Sequence, residues 1–203
     1  RGGAQEYFGI QADMVTYGKT LGGGLPVGVL CGRADLMRRS RDDRPTDICI
    51  AQGTFDSHPY VMAAMKAFLD RLETPEMVAL YEGLDRCWDE RAERFNRGLR
   101  EADLPIRVAH LSSIWSVLYS CPSHYNWMLQ FYLHAQGLAL GRAGTGQIIF
   151  GLNCDEADFD VVQRRFVAAA TQMREDGWWW EGPTQSSQAI RCSILVEMLR
   201  RRV

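Results

Sequence analysis

The chain has 203 residues, a net charge of −2 and 46% apolar residues, which is typical of a globular protein of one large or two small domains. The balanced charge gives no bulk electrostatic argument for nucleic-acid binding. No apolar run approaches the roughly 20 residues that cross a bilayer. The six cysteines are scattered and form no CxxC pair. This pattern predicts thiols in a reducing, cytoplasmic compartment rather than a disulfide framework or a zinc site.

The chain opens without methionine, in a stretch that reads as a polar, glycine-rich loop over residues 1–12. This opening indicates a piece of a longer polypeptide. A β-type run over residues 14–17 follows and leads to Lys19, three glycines (residues 22–24) and Pro26. A second β-type run covers residues 27–31.

The lysine and its glycines form the most informative stretch of the chain. Glycines weaken regular structure by about 0.5–1 kcal/mol each, but they let the backbone turn sharply and approach a ligand. A partly desolvated lysine amine loses its proton more readily, which suits bond formation with a carbonyl group. Lys19 therefore fits a covalent binding site. It fits equally well an exposed lysine before a structural turn, and the stretch alone leaves both interpretations open.

The next turn, Gly53-Thr54-Phe55-Asp56-Ser57-His58, precedes Pro59 and a predicted helix. Ser57 or His58 can cap this helix, and proline is well placed in a first helical turn. Asp56 and His58 can form a small polar site or simply shape and cap the turn. Taken alone, Thr54 is best interpreted as a residue at the start of a helix whose side chain hydrogen-bonds only its own backbone.

The second half of the chain reads as α+β. A long amphipathic helix is predicted from Pro75 to about Glu101, with strands over residues 106–109, 114–119, 138–140 and 147–152. Helices are predicted over residues 127–136, after Asp155, and over residues 188–202. His110, His124 and His134 lack metal-ligand spacing. The run Trp178-Trp179-Trp180 can be an interface patch or a cover for the end of the domain.

These features resemble the C-terminal part of a class III aminotransferase, a pyridoxal phosphate (PLP) enzyme of fold type I. The glutamate-1-semialdehyde aminomutase branch is especially similar. The resemblance is specific over the first 70 residues and runs with variable strength to about residue 175. It rests on Phe8-Gly9-Ile10, Asp13, Gly18-Lys19, Gly22-Gly23-Gly24-Leu25-Pro26-Val27-Gly28, Gly32-Arg33, Gly53-Thr54, Pro59 and Met62-Ala63-Ala64.

The resemblance implies an α/β fold, namely the end of a PLP-binding large domain followed by a small α+β domain. It places the end of the large domain at residues 1–74, a connecting helix at 75–102, the small domain at 103–177 and a tail at 178–203. Lys19 would hold PLP covalently and then act as the base that moves a proton. Gly53 and Thr54 would bind the cofactor phosphate. In this family that threonine usually reaches the neighbouring subunit's cofactor, which implies a homodimer with shared active sites.

The sequence also departs from the family. The aspartate that pairs with the pyridine nitrogen precedes the segment matching Arg1, so we expect these residues alone to bind PLP weakly and to turn over little. The aminomutases carry an acidic residue in the loop that here covers residues 141–146, where no carboxylate is present. Arg142 in this loop can pair with a substrate carboxylate, or it can be a solvated turn residue.

The sequence thus predicts amino-group transfer to or from an aldehyde or keto substrate. The reaction can run within one molecule, as in an aminomutase, or between two, as in an ω-type transaminase. The alternative from another class is a catalytically incomplete relic that serves as a dimerisation or binding module.

Overall fold

The computed structural model describes residues 1–49, 53–140, 146–179 and 186–200. It divides the chain into two compact units, Arg1–Glu82 and Gly83–Val203.

The first unit is built around a two-stranded antiparallel sheet. Strand β1 (Met14–Gly18) pairs with β2 (Gly28–Gly32), and a 3-10 turn over Lys19–Gly22 begins directly after β1. Both strands lie within one residue of the predicted runs. The unit also contains the helices α1 (Gly3–Phe8), α2 (Pro59–Leu72) and α3 (Pro75–Glu82). Helix α2 contacts both the 3-10 turn and α3. The predicted start of α2 at Pro59 is confirmed, whereas α1 replaces the loop predicted for the first twelve residues.

This first unit has almost no hydrophobic core of its own. Among its described residues only Gly22 is buried, and large apolar side chains such as Phe55 and Tyr60 are 78% and 76% exposed. Apolar burial is the main favourable term in folding, at about 25 cal/mol per Å². The unit's own side chains therefore contribute little of that term.

The second unit is a three-stranded antiparallel sheet covered by helices, in the strand order β3-β4-β5. The strands are β3 (Ile106–Leu111), β4 (Ile114–Tyr119) and β5 (Gln147–Ile149). The helices are α4 (Leu84–Glu101), α5 (Leu129–Ala135), α6 (Glu156–Glu175) and α7 (Ser187–Arg200), with a 3-10 turn at Asn126–Met128 before α5. Asp155 caps α6 as predicted, because its Oδ1 accepts the Asp158 N–H at 2.8 Å.

The core of the second unit is formed by apolar stripes on two helices and by residues of the sheet. On α4 the buried apolar residues recur at helical spacing, and a matching stripe on α6 faces the same core. Trp115 of β4 is fully buried among their rings, with centroids 5.4 Å from Phe95 and 5.6 Å from Phe159. The buried stripes are Trp88, Ala92, Phe95 and Leu99 on α4 and Phe159, Phe166, Ala169, Ala170 and Met173 on α6.

Two further predictions are wrong. The single connecting helix predicted over residues 75–102 is two helices, α3 and α4, separated by Gly83. Glycine is a poor helix former, and here it coincides with the division between the two units. Helix α4 therefore belongs to the core of the second unit instead of connecting two domains.

Residues 138–140, predicted as a strand, have no regular structure. The assignment of residues 1–74 to a cofactor-binding domain and of residues 103–177 to a small domain stays a prediction.

The tryptophan run covers the second unit, as far as the structure describes it. The Trp179 indole N–H donates to the Ala170 carbonyl at 2.9 Å, and the Trp178 ring lies 5.2 Å from that of Tyr125. Both side chains pack against the core. This favours the covering role over the interface patch for these two residues. Trp180 lies outside the described residues.

An ion pair joins α4 to α6 at the edge of this core. Arg91 is buried, with its guanidinium 4.6 Å from the Trp88 ring centroid, and its Nε donates to Glu156 Oε1 at 2.8 Å. Arg94 Nη2 donates to the other Glu156 oxygen at 2.8 Å. Hydrogen bonds from Arg94 and then from Arg91 lower the pKa of the Glu156 carboxyl below its ordinary value.

This lowered pKa predicts a pH dependence of stability. A carboxyl whose pKa is depressed by folding stabilises the protein above its unfolded pKa, about 4.3 for glutamate, and loses that contribution as pH falls through the folded value. We expect Glu156→Gln to lower the melting temperature by about 3 °C at pH 7, because a partly exposed ion pair contributes at most about 1 kcal/mol. The difference from the unchanged protein should shrink steadily below about pH 4.

The control is Glu175→Gln, an exposed residue at the other end of α6 that forms no ion pair with a described residue. Melting curves recorded from pH 3 to pH 8 make the comparison. A constant difference at every pH would show that Glu156 acts through its shape instead of its charge.

Candidate active site

The backbone after β1 is shaped by residues with unusual dihedral angles. Gly18 is extended, with φ −166° and ψ −157°, and Lys19 follows at φ +52°. The 3-10 turn closes when the Gly23 N–H donates to the Thr20 carbonyl at 3.0 Å. Gly23 and Gly24 then reverse the chain at φ +58° and +94°. These positive φ values explain why glycines follow the lysine.

Lys19 itself occupies the left-handed region that side-chain-bearing residues avoid. The conformation costs about 1–2 kcal/mol for a residue with a Cβ atom. The side chain is exposed, and its Nζ forms no hydrogen bond or ion pair with a residue that the structure describes. The chain's other lysine, Lys66, is paired with Asp70 at 2.6 Å. Of the two lysines, Lys19 is therefore the one whose amine lacks a described partner, and its backbone conformation is strained.

The lysine turn packs against α2. A Cβ atom added at Gly23 would lie 3.3 Å from the Ala64 carbonyl oxygen, in the second turn of that helix. On its other side, a Cβ at Gly22 would lie 2.9 Å from Val27 Cγ1. The turn therefore has little room between the start of β2 and α2.

The Gly53–Thr54 turn leads into the same helix. Its backbone folds back when the Asp56 N–H donates to the Gly53 carbonyl at 3.1 Å and the His58 N–H to the Phe55 carbonyl at 3.3 Å. Ser57 adopts φ +53° to complete the reversal. Asp56 and His58 thus shape the turn through their backbone N–H groups, which is one of the two roles that the sequence left open for them.

The predicted side-chain cap is absent. His58 takes the cap position of α2, but its side chain makes no capping hydrogen bond, and neither does Ser57 among the described contacts. The Thr54 hydroxyl likewise bonds no described residue, so the self-bonding interpretation of Thr54 has no support. The His58 Nδ1 atom is buried and has no described hydrogen-bond partner.

These groups fit the PLP that the resemblance implies. The first N–H groups of a 14-residue helix lack a side-chain acceptor, and helix N-termini favour phosphate. A hydroxyl and a buried imidazole nitrogen lie in the turn before that helix and have no described partner. The Lys19 turn contacts the same helix and presents an amine, the group that can bond covalently to an aldehyde such as that of PLP. Lys19, Gly53 and Thr54 are therefore the residues that could hold PLP.

The remaining predicted site residue, Arg142, lies outside the described residues. The described ranges contain no group of three or more His, Cys, Asp and Glu side chains able to hold a metal ion.

An open groove of about 420 Å³ in the second unit is lined mostly by charged side chains of α4. There His110 Nε2 lies 3.6 Å from Asp89 Oδ1, a pair that the sequence spacing could not reveal.

The family profile for class-III aminotransferases matches residues 1–150. The chain belongs to this family. Class-III aminotransferases depend on PLP, so the predicted family and cofactor are confirmed. In the described ranges no helix is long and apolar enough to cross a membrane.

Solved structures confirm the fold. The chain is similar to an ω-transaminase from Sphaerobacter thermophilus, with a TM-score of 0.71, 23% identity, and coverage of 85% of this chain and 41% of that one. A transaminase with PLP bound also matches at TM-score 0.71 and 23% identity, with coverages of 86% and 42%. A β-phenylalanine aminotransferase from Variovorax paradoxus matches at TM-score 0.66 and 24% identity, with coverages of 86% and 41%. The chain spans about two fifths of the length of each.

Proposed function

We propose that this chain supplies the reactive lysine and a phosphate-binding turn to a PLP-dependent enzyme that transfers an amino group between small molecules. The single observation that carries this proposal is the Lys19 amine, which lacks a described partner and is held at φ +52° in a turn against α2. Family membership supports amino-group transfer in general. The residue roles rest on the geometry and on the resemblance.

Lys19 has two tasks in this proposal. Its Nζ would hold the cofactor covalently through the aldehyde, with loss of water, until the amine of the substrate takes its place. The released Lys19 amine would be the base that carries the proton between the substrate carbon and the cofactor. Bound PLP supplies the conjugated ring that accepts the electrons of that carbon. An exposed amine without a described carboxylate partner is free to make these transfers.

The Gly53–Thr54 turn would hold the phosphate. The Thr54 hydroxyl and the backbone N–H groups at the start of α2 would donate hydrogen bonds to its oxygens, and the helix dipole would favour its charge. In a homodimer with shared active sites, Thr54 would serve the partner's cofactor. We propose Arg142 as the partner of a substrate carboxylate, since a guanidinium binds such a group through two hydrogen bonds.

The chain alone is incomplete in this proposal. It spans about 41% of the ω-transaminase it resembles, and its first unit buries no large apolar side chain among its described residues. The groups that complete the ring-binding site would come from outside these 203 residues. None of the six cysteines, all of which are described, forms a disulfide, which supports a cytoplasmic location.

The first experiment traps the cofactor on the protein that carries this sequence. The protein is mixed with an equimolar amount of PLP, reduced with borohydride, digested and analysed by mass spectrometry. Because the chain has two lysines, the ratio of adduct at Lys19 to adduct at Lys66 is an internal comparison. We expect Lys19 to be labelled at least about tenfold more, the equivalent of about 1.4 kcal/mol of selective binding.

Pyridoxal, which lacks the phosphate, is the matched control. The excess of labelling at Lys19 should fall with pyridoxal and in a Thr54→Val protein, while labelling at Lys66 should not change. Thr20→Val, also exposed, serves as the control for Thr54→Val. Equal labelling of both lysines, or none at Lys19, would overturn the proposal and favour a relic that serves as a dimerisation or binding module.

The remaining question is whether the amino group moves within one substrate molecule, as in an aminomutase, or between two molecules. The reported structural neighbours are transaminases, and the loop over residues 141–146 lacks the carboxylate of the aminomutases. Both observations support intermolecular transfer, while the glycine-rich stretch supports the aminomutase. We expect product to form only when an amino donor and a separate keto acceptor are supplied together. Turnover of glutamate-1-semialdehyde alone would establish the aminomutase instead.

A further inference from the structure

The Gly53–Thr54 turn carries an acidic side chain and no basic one. From Gly53 to Tyr60 the sequence has one aspartate, Asp56, one histidine, and no lysine or arginine. Proteins commonly match the charge of a phosphate with arginine or lysine. In the proposed function, by contrast, the groups that would hold the phosphate are neutral, namely backbone N–H groups and the Thr54 hydroxyl. The carboxylate of this turn therefore opposes the ligand that the turn would bind.

The Asp56 carboxylate folds back over the glycine at the start of the turn. A Cβ atom added at Gly53 would lie 3.2 Å from Asp56 Oδ1 and 3.8 Å from Oδ2. The Asp56 N–H donates to the Gly53 carbonyl at 3.1 Å, which holds the two residues together. The Asp56 side chain is exposed, and its oxygens accept no hydrogen bond from a residue that the structure describes. No described cation offsets its charge.

Bond lengths limit how far this carboxylate can lie from a phosphate bound at Gly53. Asp56 Oδ1 is within about 4.7 Å of the Gly53 Cα, because the Cα–Cβ bond adds about 1.5 Å to the separation of 3.2 Å. A phosphate oxygen that accepts the Gly53 N–H lies about 2.9 Å from the nitrogen, which is about 1.5 Å from Cα. The two oxygens are therefore at most about 9 Å apart. The Debye length is about 8 Å at physiological ionic strength, so the two charges repel each other.

We propose that Asp56 is a specificity-determining residue, which lowers the affinity of the turn for phosphate so that the covalent bond, more than the phosphate, retains the cofactor. This inference rests on the proposed function of the Gly53–Thr54 turn. It concerns that turn alone, so it holds whether the phosphate belongs to the cofactor of the same subunit or of the partner subunit. Pyridoxamine phosphate carries an amine where PLP has its aldehyde, so it cannot bond covalently to a lysine amine. Asp56 would therefore discriminate against pyridoxamine phosphate and in favour of PLP.

Asp56→Asn tests this role, because it removes the charge and keeps the size of the side chain. A phosphate monoester carries about −1.5 to −2 charges at pH 7. We expect the variant to bind pyridoxamine phosphate about fivefold more tightly than the unchanged protein at 0.01 M salt, where the Debye length is about 30 Å. The gain should fall below about twofold at 1 M salt, where the Debye length is about 3 Å. Titration calorimetry on the protein that carries this sequence gives both affinities.

Glu73→Gln is the matched control for the loss of one negative charge. Glu73 is exposed and follows the last residue of α2, about 21 Å along the helix axis from Pro59 at 1.5 Å per residue. Its affinity for pyridoxamine phosphate should stay within about twofold of the unchanged protein at both salt concentrations. Pyridoxamine, which lacks the phosphate, is the matched ligand. Its affinity should not differ between Asp56→Asn and the unchanged protein.

A second variant keeps the test valid if asparagine distorts the turn. Asp56→Ser also removes the charge, and serine is another residue that suits turns. The two variants share only the loss of the carboxylate. We expect the same salt-sensitive gain in both.

The outcomes separate this inference from the proposed function. Phosphate-dependent labelling of Lys19 in the unchanged protein, with no tighter binding of pyridoxamine phosphate in either Asp56 variant, would overturn the role of Asp56 alone. A gain that persists at 1 M salt, or that pyridoxamine shares, would also overturn it, because repulsion between the carboxylate and the phosphate explains neither. Equal labelling of Lys19 and Lys66 by PLP in the unchanged protein would overturn the proposed function instead.

Discussion

The packing of the lysine turn on α2 is the constraint on which the candidate site depends. Lys19 occupies a left-handed conformation because the chain must leave β1 and reverse within a few residues, and Gly23 and Gly24 complete that reversal. The reversal leaves the turn against Ala64, in the helix that follows the Gly53–Thr54 turn. Two segments more than thirty residues apart in sequence thereby share one support.

The two units obtain their stability differently. The second unit has a dense aromatic core around Trp115, and the Arg91–Glu156 pair joins α4 to α6 at its edge. The first unit contains the candidate site but buries no large apolar side chain among its described residues. Large exposed apolar patches generally mark surfaces that other protein covers. The chain spans about 41% of the length of the ω-transaminase to which it is similar.

Local patterns in the sequence predicted most regular elements. Helix α6 was predictable because Asp155 and the apolar spacing are local signals, and β4 was predicted with its observed bounds. The break at Gly83 was missed because Leu80 and Leu84 continue one apolar stripe through it. In the site, Lys19 and the Gly53–Thr54 turn could be proposed from glycine spacing and resemblance. The positive φ of Lys19 could not be predicted, because it occurs at a residue other than glycine. The Gly23–Ala64 contact could not be predicted either, because the two residues lie 41 positions apart in the sequence.

The most direct test of the role of Lys19 is a crystal structure of the protein with PLP. We expect continuous density from Lys19 Nζ to the cofactor, and the phosphate against the backbone of Gly53 and the Thr54 hydroxyl of one subunit or its partner. Gly23 should still rest against Ala64 in that structure. A cofactor bound at Lys66 or elsewhere, with the Lys19 amine free in solvent, would contradict the account.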